Sequence, residues 1–151
     1  MSLNRAAAMM GILPMTGVAS LMLARVLSTR VRNSRPLLLI PGALMGFAGF
    51  GTFLLGDSLL LVVALVILGF SFWFFQPVLF TIPMELPDLD RTSVAVAWGT
   101  IIATVGIMGF VSPLFVGVMA DTTGSYLLAF SVLAVLSWNL AIAAIKLPET
   151  G

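Results

Sequence analysis

Five apolar runs, each long enough to cross a bilayer as a helix, constrain this chain more than anything else in it. A hydrocarbon core about 30 Å thick needs roughly 20 helical residues at about 1.5 Å each. The runs predict spans over residues 6–27, 36–55, 59–83, 93–120 and 125–145. Lipid offers no water to satisfy backbone N–H and C=O groups, so only helices and closed barrels can span it. The runs are continuous rather than alternating, which excludes barrel strands. The expected fold class is therefore all-α, a polytopic membrane helix bundle forming one transmembrane domain over 1–151. Charge content agrees: 9% of residues are charged, against about 25% in a soluble domain, and mean hydropathy is +1.17.

Local punctuation divides the runs. Pro14 and Gly17 fall inside the first, where neighbouring helices must cover any kink. Pro36 suits the first turn of the second, because its missing N–H costs nothing there. Gly42 and Gly46 form a small-xxx-small pair that permits close helix approach. Gly56-Asp57-Ser58 reads as a tight turn, with Asp57 or Ser58 capping the third helix. Pro77 is expected to bend that helix. The fourth run is rich in small residues (Ala95, Ala97, Gly99, Ala103, Gly106, Gly109, Ser112, Gly117), a composition that predicts a helix packed on several sides. Asp121 to Gly124 turns the chain into the fifth run.

Charge sets the direction. Arg25, Arg30, Arg32 and Arg35 are four of the seven basic residues, and they cluster between the first two runs. Basic residues are retained on the cytoplasmic side during insertion. With this loop inside, Arg91 and Lys146 are inside too, and only Arg5 is not. The expected orientation is N-terminus outside and C-terminus cytoplasmic, in a cell (inner) membrane. Arg5 before an apolar run has the look of a signal peptide, but Ala6 to Ala8 lie at the wrong end for cleavage. Leu147-Pro148-Glu149-Thr150-Gly151 matches a sortase pentapeptide, yet the apolar span precedes it rather than follows.

The chemistry-bearing side chains are few. Cys and His are absent, which removes thiolates, the usual base and the usual metal ligands. No Asp, Glu, Lys or Arg falls in the middle of a span, so neither an enzyme nor a proton relay is expected. No catalytic residue, metal or cofactor is indicated, and a net charge of +1 gives no reason to expect nucleic acid. Gln76 is the most informative polar residue, because an amide facing hydrocarbon is costly. Phe72 and Trp73 precede it by four and three residues and share its face. Together they read either as a substrate-contacting wall or as packing between helices. Ser112-Pro113 among the glycines of the fourth run reads equally as a hinge or as tight packing. Trp138 and Asn139 read as an interfacial belt.

Four places in this order resemble the major facilitator superfamily of secondary transporters. Ala24, Arg25, Leu27, Ser28, Arg30, Arg32 and Arg35 are similar to its basic loop signature, with Ala24 in place of the Gly and Thr29 in place of the Asp. Glu85-Leu86-Pro87-Asp88-Leu89-Asp90-Arg91 resembles the loop between its tenth and eleventh helices. Gly106 to Gly124 resembles the eleventh helix and its outer turn, and the Leu-Pro-Glu-Thr tail resembles the segment after the twelfth. The resemblance implies helices eight to twelve of a twelve-helix transporter, a fragment whose partners are the N-terminal helices, the lipid bilayer and a small-molecule substrate. It also implies that the first, third and fourth spans line a central cavity, with Phe72, Trp73, Gln76 and Ser112 as candidate substrate-binding residues. The alternative is a small membrane protein that serves packing or assembly without transport.

Overall fold

The computed structural model describes residues 3–30, 34–56, 58–86 and 90–146. Among them the chain is helical throughout: α1 Leu3–Arg30, α2 Ser34–Leu54, α3 Leu59–Glu85, α4 Arg91–Thr123, α5 Tyr126–Ser137 and α6 Asn139–Lys146. Five segments are long and apolar enough to cross a membrane, with α5 and α6 together making the fifth. This is compatible with a multi-pass membrane protein. Arg32, Asp57, Pro87 to Leu89 and the Leu147 to Gly151 tail lie outside the described residues.

Helix ends follow local chemistry. The Ser58 side chain accepts the Leu61 N–H at 3.4 Å and caps α3. Asp90 caps α4, accepting the Ser93 N–H at 3.0 Å. Ser125 caps α5 through the Leu127 N–H at 3.2 Å. Gly124 closes α4 at φ +67, where a side chain would be strained, and donates to the Ala120 carbonyl at 2.8 Å. The α4 helix thus runs through Asp121 to Thr123 rather than turning there.

The helices α1, α2 and α3 form the packed body, with α5 and α6 laid on α2. Its core gathers Ala24, Leu37, Leu38, Phe74, Val78, Ile82 and Ala144, at the end that carries the arginine loop. The glycine pair on the second helix is used as its spacing suggests. A Cβ on Gly42 would come 2.7 Å from the Ala141 nitrogen, and one on Gly49 would come 3.2 Å from the Ala134 Cβ. A Cβ on Gly46 would strike the Trp138 indole. Numbers fall along α6 and α5 as they rise along α2, so the two segments are antiparallel.

Three expectations need correction. Trp138 is no belt residue: its indole fills the notch that Gly46 leaves and donates to the Ala43 carbonyl at 3.3 Å. The fifth span is not one continuous helix. At Trp138 the backbone N–H bonds the Val135 carbonyl at 3.1 Å, a tighter step before Ile142 resumes the α pattern. The small-residue helix α4 is not packed on several sides. None of its residues is buried, and Gly99, Gly106, Gly109 and Gly117 face open space. It packs along α5 and meets α3 at Trp98, whose indole donates to the Phe80 carbonyl at 3.1 Å.

Candidate functional site

The helix α3 carries the candidate site, and its contact with α1 fixes which way that site faces. Small residues on α1 admit bulky ones from α3. A Cβ on Gly17 would collide with the Trp73 ring, and one on Gly69 would collide with the Thr16 hydroxyl. Ser20, fully buried, donates its hydroxyl to the Phe70 carbonyl at 2.5 Å. Trp73 is therefore an anchor on α1, which satisfies the packing reading for that residue. Phe72 stands beside it, ring edge to face at 5.7 Å, and is 44% exposed.

Gln76 lies three residues after Trp73 and four before Phe80, on one stripe of the helix. Trp73 faces α1, and the Phe80 ring lies tilted against that of Trp98 of α4, centroids 5.5 Å apart. Along α3 the amide lies between the Trp73 contact with α1 and the Phe80 contact with α4. No packed interface joins those two helices. Gln76 is half-buried, and no hydrogen bond to it is found among the described residues. Pro77 has no N–H, which leaves the Trp73 carbonyl without its helical donor. An amide and a free carbonyl thus sit together in an otherwise apolar stretch. A solute with a donor and an acceptor could use both.

Ser112 is half-buried on α4 and does not join this group. The Phe80–Trp98 contact sets the register of the hairpin. Gln76 is four residues from it, about 6 Å, and Ser112 fourteen, about 21 Å. They differ by about 15 Å in depth. Pro113 frees the Gly109 carbonyl in the same manner as Pro77, so α4 has its own polar spot further along.

Arg25 and Arg30 are exposed on the last turns of α1, and Arg35 is partly buried in the first turn of α2. Among the described residues no group of acidic residues could hold a metal. At the α4 cap, hydrogen bonds from the Ser93 side chain and backbone, then from Thr92, hold the Asp90 carboxyl below the ordinary carboxylate value.

Two features escaped the sequence reading. Ser71 is fully buried, and its hydroxyl has no partner among the described residues. Trp138 works as a knob between helices. Both have a signal in hindsight: Gly17, Ser20 and Ala24 repeat at helical spacing, as do Gly42, Gly46 and Gly49. Such small-residue faces mark where an aromatic or a backbone can approach. Comparison with known protein families, characterised proteins and solved structures gives no match.

Proposed function

We propose that this chain is the C-terminal part of a major facilitator superfamily secondary transporter for a small solute. It works by rocking of two helix bundles about a site between them. The observation that carries this reading is Gln76. An amide left without a partner in hydrocarbon costs several kcal/mol by roughly the transfer values for such groups. Beside a water-filled solute path that cost vanishes. It sits on the third span, which with the first and fourth is assigned to the cavity by the resemblance. The second support is α4, an apolar helix of 33 residues with none buried. Its glycines offer close approach to helices from another bundle. Phe72 and Gln76 form the proposed solute wall, with Trp73 anchoring it on α1 and Ser112 at a different depth on α4. The chain sits in a cell membrane with its N-terminus outside and its C-terminus cytoplasmic.

With no ionisable residue at depth, this chain contributes solute contacts and rigid packing rather than proton coupling. The test is transport by the purified chain in liposomes, assayed with a panel of labelled small solutes. The chain alone should show no saturable uptake. Uptake should appear when matching N-terminal helices are supplied in one chain or by co-expression. A Gln76→Cys variant of that assembly should react with a small water-soluble thiol reagent and be protected by substrate, whereas Phe47→Cys on α2 should not be protected. Saturable uptake by the chain alone would overturn this reading. Stable association with other membrane proteins and no uptake in any combination would favour an assembly subunit.

A further inference from the structure

A separate space lies between α1, α2 and α3, toward the arginine-loop end. It is a cavity of about 220 Å³ walled by Leu23, Leu27, Leu37, Ile40, Leu44 and Phe74. Its one polar side chain is Ser71, whose hydroxyl is buried without a partner among the described residues. A water molecule held in a cavity needs two to four polar partners. This wall offers at most one, so the space suits neither water nor a polar solute. Nor is it sealed. Leu23, Ile40 and Leu44 on its rim are 44%, 58% and 39% exposed. On a membrane-spanning helix pair such a rim faces lipid. The volume holds roughly seven groups the size of a water molecule, the bulk of a length of hydrocarbon chain.

The slot ends in positive charge. Leu23, Leu27 and Arg30 stand at i, i+4 and i+7, so the arginine continues the same face of α1. Arg30 is exposed in the last turn. Opposite it α2 begins at Ser34 with no acidic residue in its first turn. No Asp or Glu occurs anywhere from Met22 to Leu44. A guanidinium at the end of a spanning helix lies at the depth of lipid phosphates and pairs with them through two N–H donors. We propose that this slot binds one acyl chain of an anionic phospholipid, with its phosphate on Arg30. The site is separate from the solute path and rests only on α1 to α3 spanning a membrane.

The test uses the full chain in detergent, titrated with phosphatidylglycerol or phosphatidylcholine and read by native mass spectrometry as lipid retained per chain. Phosphatidylglycerol should be retained preferentially. Arg30→Gln should lower that preference about fivefold, the factor expected for one basic residue at an anionic surface. Arg30→Lys should keep most of it. Arg25→Gln is the control, because Arg25 projects from another face of α1, and it should change little. Leu27→Trp and Ile40→Trp should fill the slot and lower retention of both lipids, with helix content by circular dichroism showing that each variant is folded. Soluble glycerophosphoglycerol, a headgroup without chains, should fail to displace the lipid. Equal retention of the two lipids overturns the proposal. So does an Arg25→Gln effect as large as that of Arg30→Gln, or full retention in both tryptophan variants, or displacement by the bare headgroup.

Discussion

Two serines one turn apart in role show how burial decides what a hydroxyl is worth. Ser20 of α1 and Ser71 of α3 are both fully buried. Ser20 has its acceptor in the Phe70 carbonyl, and Ser71 has none among the described residues. A satisfied hydrogen bond between membrane helices is worth about 0.6 kcal/mol, while a buried orphan costs about 1–3 kcal/mol. Ser71→Ala should therefore stabilise the bundle by about 1 kcal/mol, and Ser20→Ala should weaken it by somewhat less. Unfolding titrations in mixed micelles compare the two directly, and a reversed order would show that Ser71 finds a partner in the membrane. Asp90 makes a separate case. Its folded carboxyl is held below the ordinary 3.8 by hydrogen bonds from Ser93. A depressed folded pKa means that the cap contributes fully above the unfolded value and is lost as pH falls through the folded one. Protection of the Ser93 amide, taken relative to its intrinsic exchange rate at each pH, should fall as pH drops through the folded value below 3.8, and Asp90→Ala should lack that protection at neutral pH as well. Exchange that stays slow in that variant would remove the cap from the account of why α4 begins there.

The unit of construction at the next scale is a helix pair in which one partner is stripped to glycine. On α2, Gly42, Gly46 and Gly49 receive Ala141, Trp138 and Ala134 in turn. Filling the middle position should be the most damaging, because a side chain there meets an indole ring already held by the Ala43 carbonyl. Gly46→Leu should destabilise the pair by about 1–3 kcal/mol, the usual range for overpacking. The register itself can be trapped. The chain has no native cysteine, and a Cβ on Gly49 would lie 3.2 Å from that of Ala134, close to the 3.5–4.5 Å that a disulfide requires. Gly49→Cys with Ala134→Cys should form an intramolecular disulfide under mild oxidation, read as a mobility shift that reductant reverses. Gln76→Cys with Ser112→Cys should not, given their difference in depth. The five spans, their order and the Gly42–Gly46 contact were legible in the sequence, because length, hydropathy and small-residue spacing are local properties. The break at Trp138 was not, since it depends on a notch 92 positions earlier in the chain. The bareness of α4 was misread for a similar reason. Small residues record that a helix can be approached, not whether the approaching helix belongs to the same chain. Of the four candidate wall residues, Trp73 is taken up by packing on α1, and Ser112 is displaced by a hairpin register that periodicity does not encode.

The whole molecule is asymmetric from end to end, and the asymmetry has one chemical source. Its buried core lies beside the arginine loop, where Ala24, Leu37, Ile82 and Ala144 converge. Arg30 and Arg35 bracket that loop, and Lys146 ends α6 on the same side. The antiparallel pairing of α2 with α5 and α6, and the α3–α4 hairpin closed by Trp98 on Phe80, put residue 91 there too. Among the described residues Arg25, Arg30, Arg35, Arg91 and Lys146 thus belong to one end, and Arg5 to the other. Retention of basic residues in the cytoplasm then gives a single favoured orientation. Cysteines placed at Ser34 and Thr150 should be labelled by an impermeant maleimide only from the cytoplasmic side, and one at Ser58 only from outside. Changing Arg25, Arg30, Arg32 and Arg35 together to Gln leaves Arg91 and Lys146 against Arg5. That difference is too small to set direction firmly, so both faces of Ser34→Cys should become reactive in a mixed population. Labelling of Ser34→Cys from outside in the otherwise native chain would invert the orientation. The acyl slot beneath Arg30 would then open to the outer leaflet, with its lining and its charge unchanged.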